Sequence, residues 1–163
     1  MMNETTLQGV LDRLEITDVV NRVATYADLR DWARVRDCFT DEIDIDYTSL
    51  NGGSPAHLSA DILVEQWRAG LSGLQTTQHM ISNHLITVTG NEATCLAYVQ
   101  AQHYLPNDTG EPTWTLGGRY TYLLIRTAQG WKIRSSTLTV LWAKGNQHVM
   151  TLAPQQVTPT QQG

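Results

Sequence analysis

Two periodicities, one following the other, limit the folds open to this chain. Beyond Gln75 almost every stretch reads as extended: residues 78–89, 93–105, 113–127 and 131–144 form four long segments. Gly90 with Asn91, the proline-bounded stretch 106–112, and Gln129 with Gly130 supply the turns between them. Consecutive strands of this length pair antiparallel, and a sheet built from them twists and curls. Ahead of them the period changes. Leu7, Val10, Leu11, Leu14, Val19, Val20, Val23, Ala24 and Ala27 recur at three- and four-residue steps, which predicts a helix over 7–27 laying one stripe on a core.

Between these regions the chain is mixed. Asp31 is placed to N-cap a second helix through Trp32, Val35 and Phe39 that ends near Thr40. Ile43, Ile45 and Tyr47 alternate with Asp44, Asp46 and Thr48, the pattern of a half-buried strand. Asn51, Gly52, Gly53, Ser54 and Pro55 break it, and a third helix over 59–69 carries Ile62, Leu63, Gln66 and Trp67 on one side. Helices first and strands after predict an α+β domain: a strongly curved antiparallel sheet packed with three N-terminal helices into a cone that encloses a pocket. The domain is expected over 1–145, with 146–163, rich in Gln and Thr, as a loose C-terminal extension.

Composition narrows the partners. At 163 residues a single domain buries roughly two-thirds of its unfolded surface and needs no staples. The net charge of -5, with no run of Lys or Arg, supplies no footprint for nucleic acid and no attraction to anionic membranes. No apolar run is long enough to span a bilayer, and residues 1–9 lack the basic and apolar regions of a signal peptide. Cys38 and Cys95 lack the paired spacing of a zinc or redox motif and read as buried free thiols. A cytoplasmic protein acting on a small molecule is expected.

Four polar residues fall where an apolar interior belongs. Asp28 continues the first helical stripe four residues after Ala24; since Asp31 is the natural cap, Asp28 is left to pair with an inward histidine or cation. His103 shares a strand face with Cys95, Ala97, Val99 and Ala101, small residues that leave space in a curled sheet. His79 shares a face with Ile81 and Asn83, and strict alternation puts His84 on the other face unless a bulge intervenes. Tyr47 ends its strand beside Asp46 with a hydroxyl able to polarise a substrate oxygen. His79 and His84 lie five apart on an extended segment, which does not suit a metal, and no glycine-rich phosphate loop or nucleophile elbow occurs. The chemistry expected is proton transfer with no metal and no cofactor.

With these residues in view, a resemblance can be stated. The runs Tyr26-Ala27-Asp28-Leu29-Arg30-Asp31-Trp32, Ile45-Asp46-Tyr47, Thr77-Gln78-His79 and Gln102-His103 resemble the scytalone dehydratase and SnoaL-like branch of the nuclear-transport-factor-two-like superfamily, over residues 7–144. The resemblance implies a cystatin-like α+β roll and catalysis by Asp28, His79, His103 and Tyr47. In scytalone dehydratase the matching aspartate supports the histidine matching His103; in the related hexachlorocyclohexane dehydrochlorinase it pairs with the histidine matching His79. The resemblance leaves the choice of base open. Tyr26, Asn83, Arg119 and Thr121 are the expected substrate-binding residues. The last two match polar positions of the dehydratase's later strand, which fall at Arg119 and Thr121 or at Gly118 and Tyr120. Where that enzyme has a second tyrosine just before the aspartate, this chain has Ala27.

The expected function is therefore a dehydratase-like, cofactor-independent lyase or isomerase acting on a small cyclic carbonyl or polyketide-like compound. A non-catalytic binding or assembly domain of the same fold, or a polyketide cyclase, are the alternatives. Trp114, Leu116, Tyr120, Tyr122, Trp131, Ile133 and Trp142 on the last strands suggest an open aromatic face covered in a homo-oligomer, dimer or trimer.

Overall fold

The computed structural model describes residues 4–156. Helix α1 (Glu4–Asp28) is followed by α2 (Trp32–Arg36), strand β1 (Phe39–Asp46), a single turn α3 (Thr48–Asn51), a short β2 (Ala56–Ser59) and α4 (Ala60–Leu71). The long strands β3 (Thr76–Thr89), β4 (Glu92–Tyr104), β5 (Thr113–Thr127) and β6 (Gly130–Gly145) then form an antiparallel meander. Their ends fall within about two residues of those expected, because Gly90, 106–112 and Gly130 leave little choice of where to turn. Asp31 caps α2 by accepting from the Arg34 amide, and Ser59 caps α4 by accepting from that of Ile62. The architecture is α+β, as the order of periodicities predicted.

The six strands lie in one sheet of order β2-β1-β6-β5-β4-β3. It is mixed rather than antiparallel throughout, since β1 runs parallel to β6 (Ile45↔Ser136). Bulges at Gly117/Gly118, Leu123/Leu124 and Ser82–Leu85 bend it. At Gly117 a Cβ would run into the Trp142 indole, and at Gly118 into the Thr139 carbonyl oxygen, so glycine is required where β5 and β6 close together.

Helix α1 packs against β3 and β6, but not with the stripe expected. Ile16, Val19, Val20, Val23 and Ala27 are buried, whereas Leu7, Val10, Leu11 and Leu14 are 43–61% exposed on the opposite side. The apolar stripe therefore changes face between the two halves of the helix, and the periodicity alone could not say which face is inner. What seats that half of the helix is polar. Asp12, 3% exposed, accepts a bidentate pair from Arg126 at 2.6 and 2.7 Å, with further bonds from the Trp131 indole (3.2 Å) and Gln8 (2.9 Å). The Arg126 guanidinium stacks over the Trp131 ring.

Two further expectations change. Trp114, Leu116, Tyr122, Trp131 and Ile133 are buried inside the chain, so of the residues taken to form an open aromatic face only Trp142 is exposed. The expected loose extension is packed as far as Gln156: α5 (Val149–Leu152) and a 3-10 turn (Ala153–Gln156) seat fully buried Val149 and Ala153 against Leu74 and Leu105. Its remainder lies outside the described residues. No helix among them is long and apolar enough to cross a membrane.

The hydrogen bonds from Arg126 hold the Asp12 carboxyl at about 2. A depressed carboxylate stabilises the fold fully above its unfolded value and loses that contribution as pH falls through the folded one, here from about pH 4 towards about 2. Urea unfolding across this range should show a steeper decline in the native protein than in Asp12→Asn. At neutral pH, Asp12→Ala should cost about 3 kcal/mol by taking the carboxylate acceptor from Arg126 and from the buried Trp131 indole N–H.

Candidate active site

Between the inner face of the sheet and the helices lies a cavity of about 450 Å³, within the range of small-molecule sites. Ile45, Leu63, Ile81, Leu116 and Leu138 line it together with Tyr47, Trp67, Trp114, Tyr120 and Tyr122. Among the described residues no Asp, Glu, Lys or Arg lines it; its polar lining includes His79, His103, Gln66 and the tyrosines.

These two come from adjacent strands. Thr77 and His79 are two apart on β3, and Ala101 and His103 two apart on β4; the registers Thr77↔His103 and His79↔Ala101 place the histidines diagonally on the inner face. Their rings meet edge-on, 5.7 Å between centroids. The side-chain period of two survives up to the bulge, where Asn83 takes a positive φ of 56°. Beyond it the phase is inverted, so Ile86 faces inward and His84 reaches Asn21 of α1 at 3.1 Å. Both His79 and His84 thus face the helical side, contrary to strict alternation, but only His79 lines the cavity.

Asp28, the last residue of α1, stands behind His79 rather than in the cavity wall. Its Oδ1 accepts from the His79 ring Nδ1 at 2.7 Å and from the Thr77 hydroxyl at 2.7 Å, and its Oδ2 accepts from the His79 backbone amide at 2.8 Å. Burial pushes the Asp28 carboxyl up, but the bond and charge of the His79 ring, with the His79 amide and the Thr77 hydroxyl, outweigh it and hold the carboxyl below its ordinary value. The resulting carboxylate only accepts, so the proton of a neutral His79 ring sits on Nδ1 and Nε2 keeps its lone pair.

His103 is 4% exposed and lies against the Trp114 ring. Its Nδ1 donates to the Trp114 carbonyl at 3.3 Å, which again leaves Nε2 as an acceptor. Burial, followed by the charge of His79, depresses His103 to about 4. Every buried side-chain nitrogen or oxygen among the described residues has a partner, and neither histidine Nε2 is bonded; both therefore open onto the cavity they line.

Tyr47, at the junction of β1 and α3, shares a long 3.3 Å hydrogen bond with buried Ser136 and stacks on Trp67. Tyr120 lies 6.2 Å from it and stacks on Tyr122 at 5.1 Å. Burial pushes Tyr47 up to about 12 and the other two well above their ordinary value, so all three present neutral hydroxyls.

The expected substrate-binding residues are displaced. Tyr26 is half-buried against the core under Arg34, away from the cavity, Asn83 is exposed in the bulge, Arg119 is exposed and Thr121 shares its outer face. Tyr120, one residue along, is the position that enters the cavity, because a shift of one residue on a strand exchanges faces. The sequence reading passed over Thr77, although its spacing from His79 puts it on the same face. It also passed over Arg30, whose Nη1 donates to Thr77 Oγ1, and Ser136; neither carries a periodic signal. Among the described residues no group of three or more His, Cys, Asp or Glu is placed to share a metal ion.

Residues 8–137 match the SnoaL-like domain. Among solved structures, a Kribbella flavida protein is 31% identical, covering 88% of this chain and 99% of its own with a TM-score of 0.83. A candidate aromatic ring hydroxylase from Novosphingobium aromaticivorans is 26% identical, covering 86% and 97% with a TM-score of 0.74. A hexachlorocyclohexane dehydrochlorinase shares the fold at 15% identity, covering 85% and 90% with a TM-score of 0.72. No curated protein sequence matches the chain.

The depressed His103 is directly measurable. An NMR titration of its ring protons should give a midpoint near about 4, with the ring neutral at pH 6. A midpoint near the ordinary histidine value would contradict the burial described above.

Proposed function

The chain belongs to the SnoaL-like domain family, and from that premise we propose that it is a cofactor-independent, dehydratase-type lyase for a small, uncharged cyclic carbonyl compound. The observation that carries the reading is a histidine backed by an ionised carboxylate, with its second nitrogen open to a cavity free of charged side chains. This is the arrangement of a general base and its supporting carboxylate. The pairing is Asp28 with His79, the one that resemblance to the dehydrochlorinase implied, so His79 takes the role of base.

In the proposed reaction His79 Nε2 removes a proton from carbon beside the carbonyl, and the electron pair moves into an enolate. Asp28 stabilises the imidazolium across the 2.7 Å bond. A neutral phenol of the Tyr47–Tyr120 pair donates to the enolate oxygen; in a low-dielectric cavity such a bond is worth more than in water. The enolate then expels the hydroxyl on the adjacent carbon, which takes its proton back from His79 and leaves as water, restoring the base. His103 is not the acid in this scheme, since its Nε2 is an acceptor; it orients the leaving hydroxyl or a water by accepting its hydrogen bond. The aromatic walls suit a planar ring, and the absence of lining charges suits a neutral one.

Incubating the purified protein with metabolite extracts and following them by mass spectrometry should reveal a compound that loses one water. With that substrate, His79→Ala and Asp28→Asn should each lower turnover by roughly 10²- to 10⁴-fold while changing affinity far less. A ligand whose affinity falls in step with these substitutions, with no turnover, would make the domain a binder. Ring closure without loss of water would make it a cyclase.

A further inference from the structure

Helix α1 stops in a way that its own stability does not ask for. The Arg30 amide bonds to Ala27 O at 3.1 Å and the Asp31 amide to Tyr26 O at 2.9 Å, the paired closure that puts the intervening residue in the left-handed region. That residue is Arg30, with φ 60°, at a position where glycine carries no steric penalty and a side chain does. A strained residue directly beside a reactive pair raises the question of what its side chain supplies.

The side chain is engaged. Arg30 Nη1 donates to the carbonyl of Ala27 at 2.8 Å and to Thr77 Oγ1 at 2.8 Å, and Thr77 Oγ1 in turn is 2.7 Å from Asp28 Oδ1. A guanidinium can only donate and a carboxylate can only accept. The Thr77 hydroxyl, which has one proton, is therefore forced to receive from Arg30 and give to Asp28. Thr77 is buried, so no alternative solvent partner competes.

We propose that Arg30 and Thr77 are positioning residues: Arg30 fixes the direction of the Thr77 hydroxyl, and together they hold the Asp28 carboxylate in the orientation that serves His79. The proposal rests on reading Asp28–His79 as the working pair. It goes beyond that reading by assigning the strained helix stop to the geometry of the pair rather than to the fold. Replacement of Arg30 by glycine relieves the backbone and removes the anchor at once, so fold stability and dyad order should move in different directions.

The experiment needs no substrate. In protein labelled with ¹⁵N-histidine, the ring Nδ1–H of His79 should give a protected downfield signal, assigned by its loss in His79→Ala. In Arg30→Gly and in Thr77→Val that signal should vanish or exchange at least roughly ten-fold faster, the effect of losing one supporting hydrogen bond. Thr77→Ser, which keeps the hydroxyl, should retain it, and Arg30→Gly should melt no lower than the native protein. A native-like signal and exchange rate in Arg30→Gly and Thr77→Val would overturn the positioning role while leaving the Asp28–His79 pair standing. Absence of any signal removed by His79→Ala in the native protein would overturn the pair itself, and the positioning proposal with it.

Discussion

A single carboxylate links the fold of this protein to its site. Asp28 is the last residue of a 25-residue helix, the pole at which the helix dipole disfavours a negative charge by about 0.3–1 kcal/mol. It is also half-buried, and a carboxylate in that position costs several kcal/mol unless it is bonded. Its three donors come from Thr77 and His79 on β3. The His79 amide is available because β3 is the edge of the sheet, where alternate backbone amides have no strand to pair with. Docking the end of α1 and assembling the Asp28–His79 pair are thus the same set of bonds.

At its other end the helix is held by a second buried carboxylate, Asp12, through Arg126 and Trp131 on the β5–β6 hairpin. Between these two polar fastenings Ile16, Val19, Val20 and Val23 fill the core. Hydrophobic burial drives the helix onto the sheet without fixing its axial position. The two carboxylates do, since each accepts directional bonds from a different strand. One sets the rotation of the helix over the hairpin, and the other fixes its end over the cavity.

The sequence carried the parts of this arrangement that depend on local pattern. The four long strands were legible because the turns between them are chemically marked, and Asp28, His79, His103 and Tyr47 because each interrupts an apolar series. The parallel pairing of β1 with β6 was not, as a pairing of segments some ninety residues apart leaves no periodic trace in either. Leu7 to Leu14 were misplaced because the helix is apolar on opposite sides. Asn83 was misplaced because one residue at positive φ inverts the faces of everything after it. Arg119 against Tyr120 is the same parity error at an uncertain alignment. Tyr26 was drawn in by its nearness to Asp28 in the chain, although two residues on a helix point roughly 200° apart.

The two histidines show how one cavity gives like groups different surroundings. They lie on neighbouring strands, ring to ring, each with Nδ1 engaged and Nε2 open. What differs is the acceptor behind them. His79 faces an ionised carboxylate; His103 faces a neutral carbonyl in a fully buried setting, and burial depresses its ring. In the proposed reaction these surroundings separate the group that moves a proton from the group that orients. Two things set the histidines apart: the carboxylate behind His79, and the burial that, more than its carbonyl acceptor, depresses His103. Which histidine the carboxylate backs is therefore fixed by where α1 ends, at Asp28, behind His79 rather than behind His103.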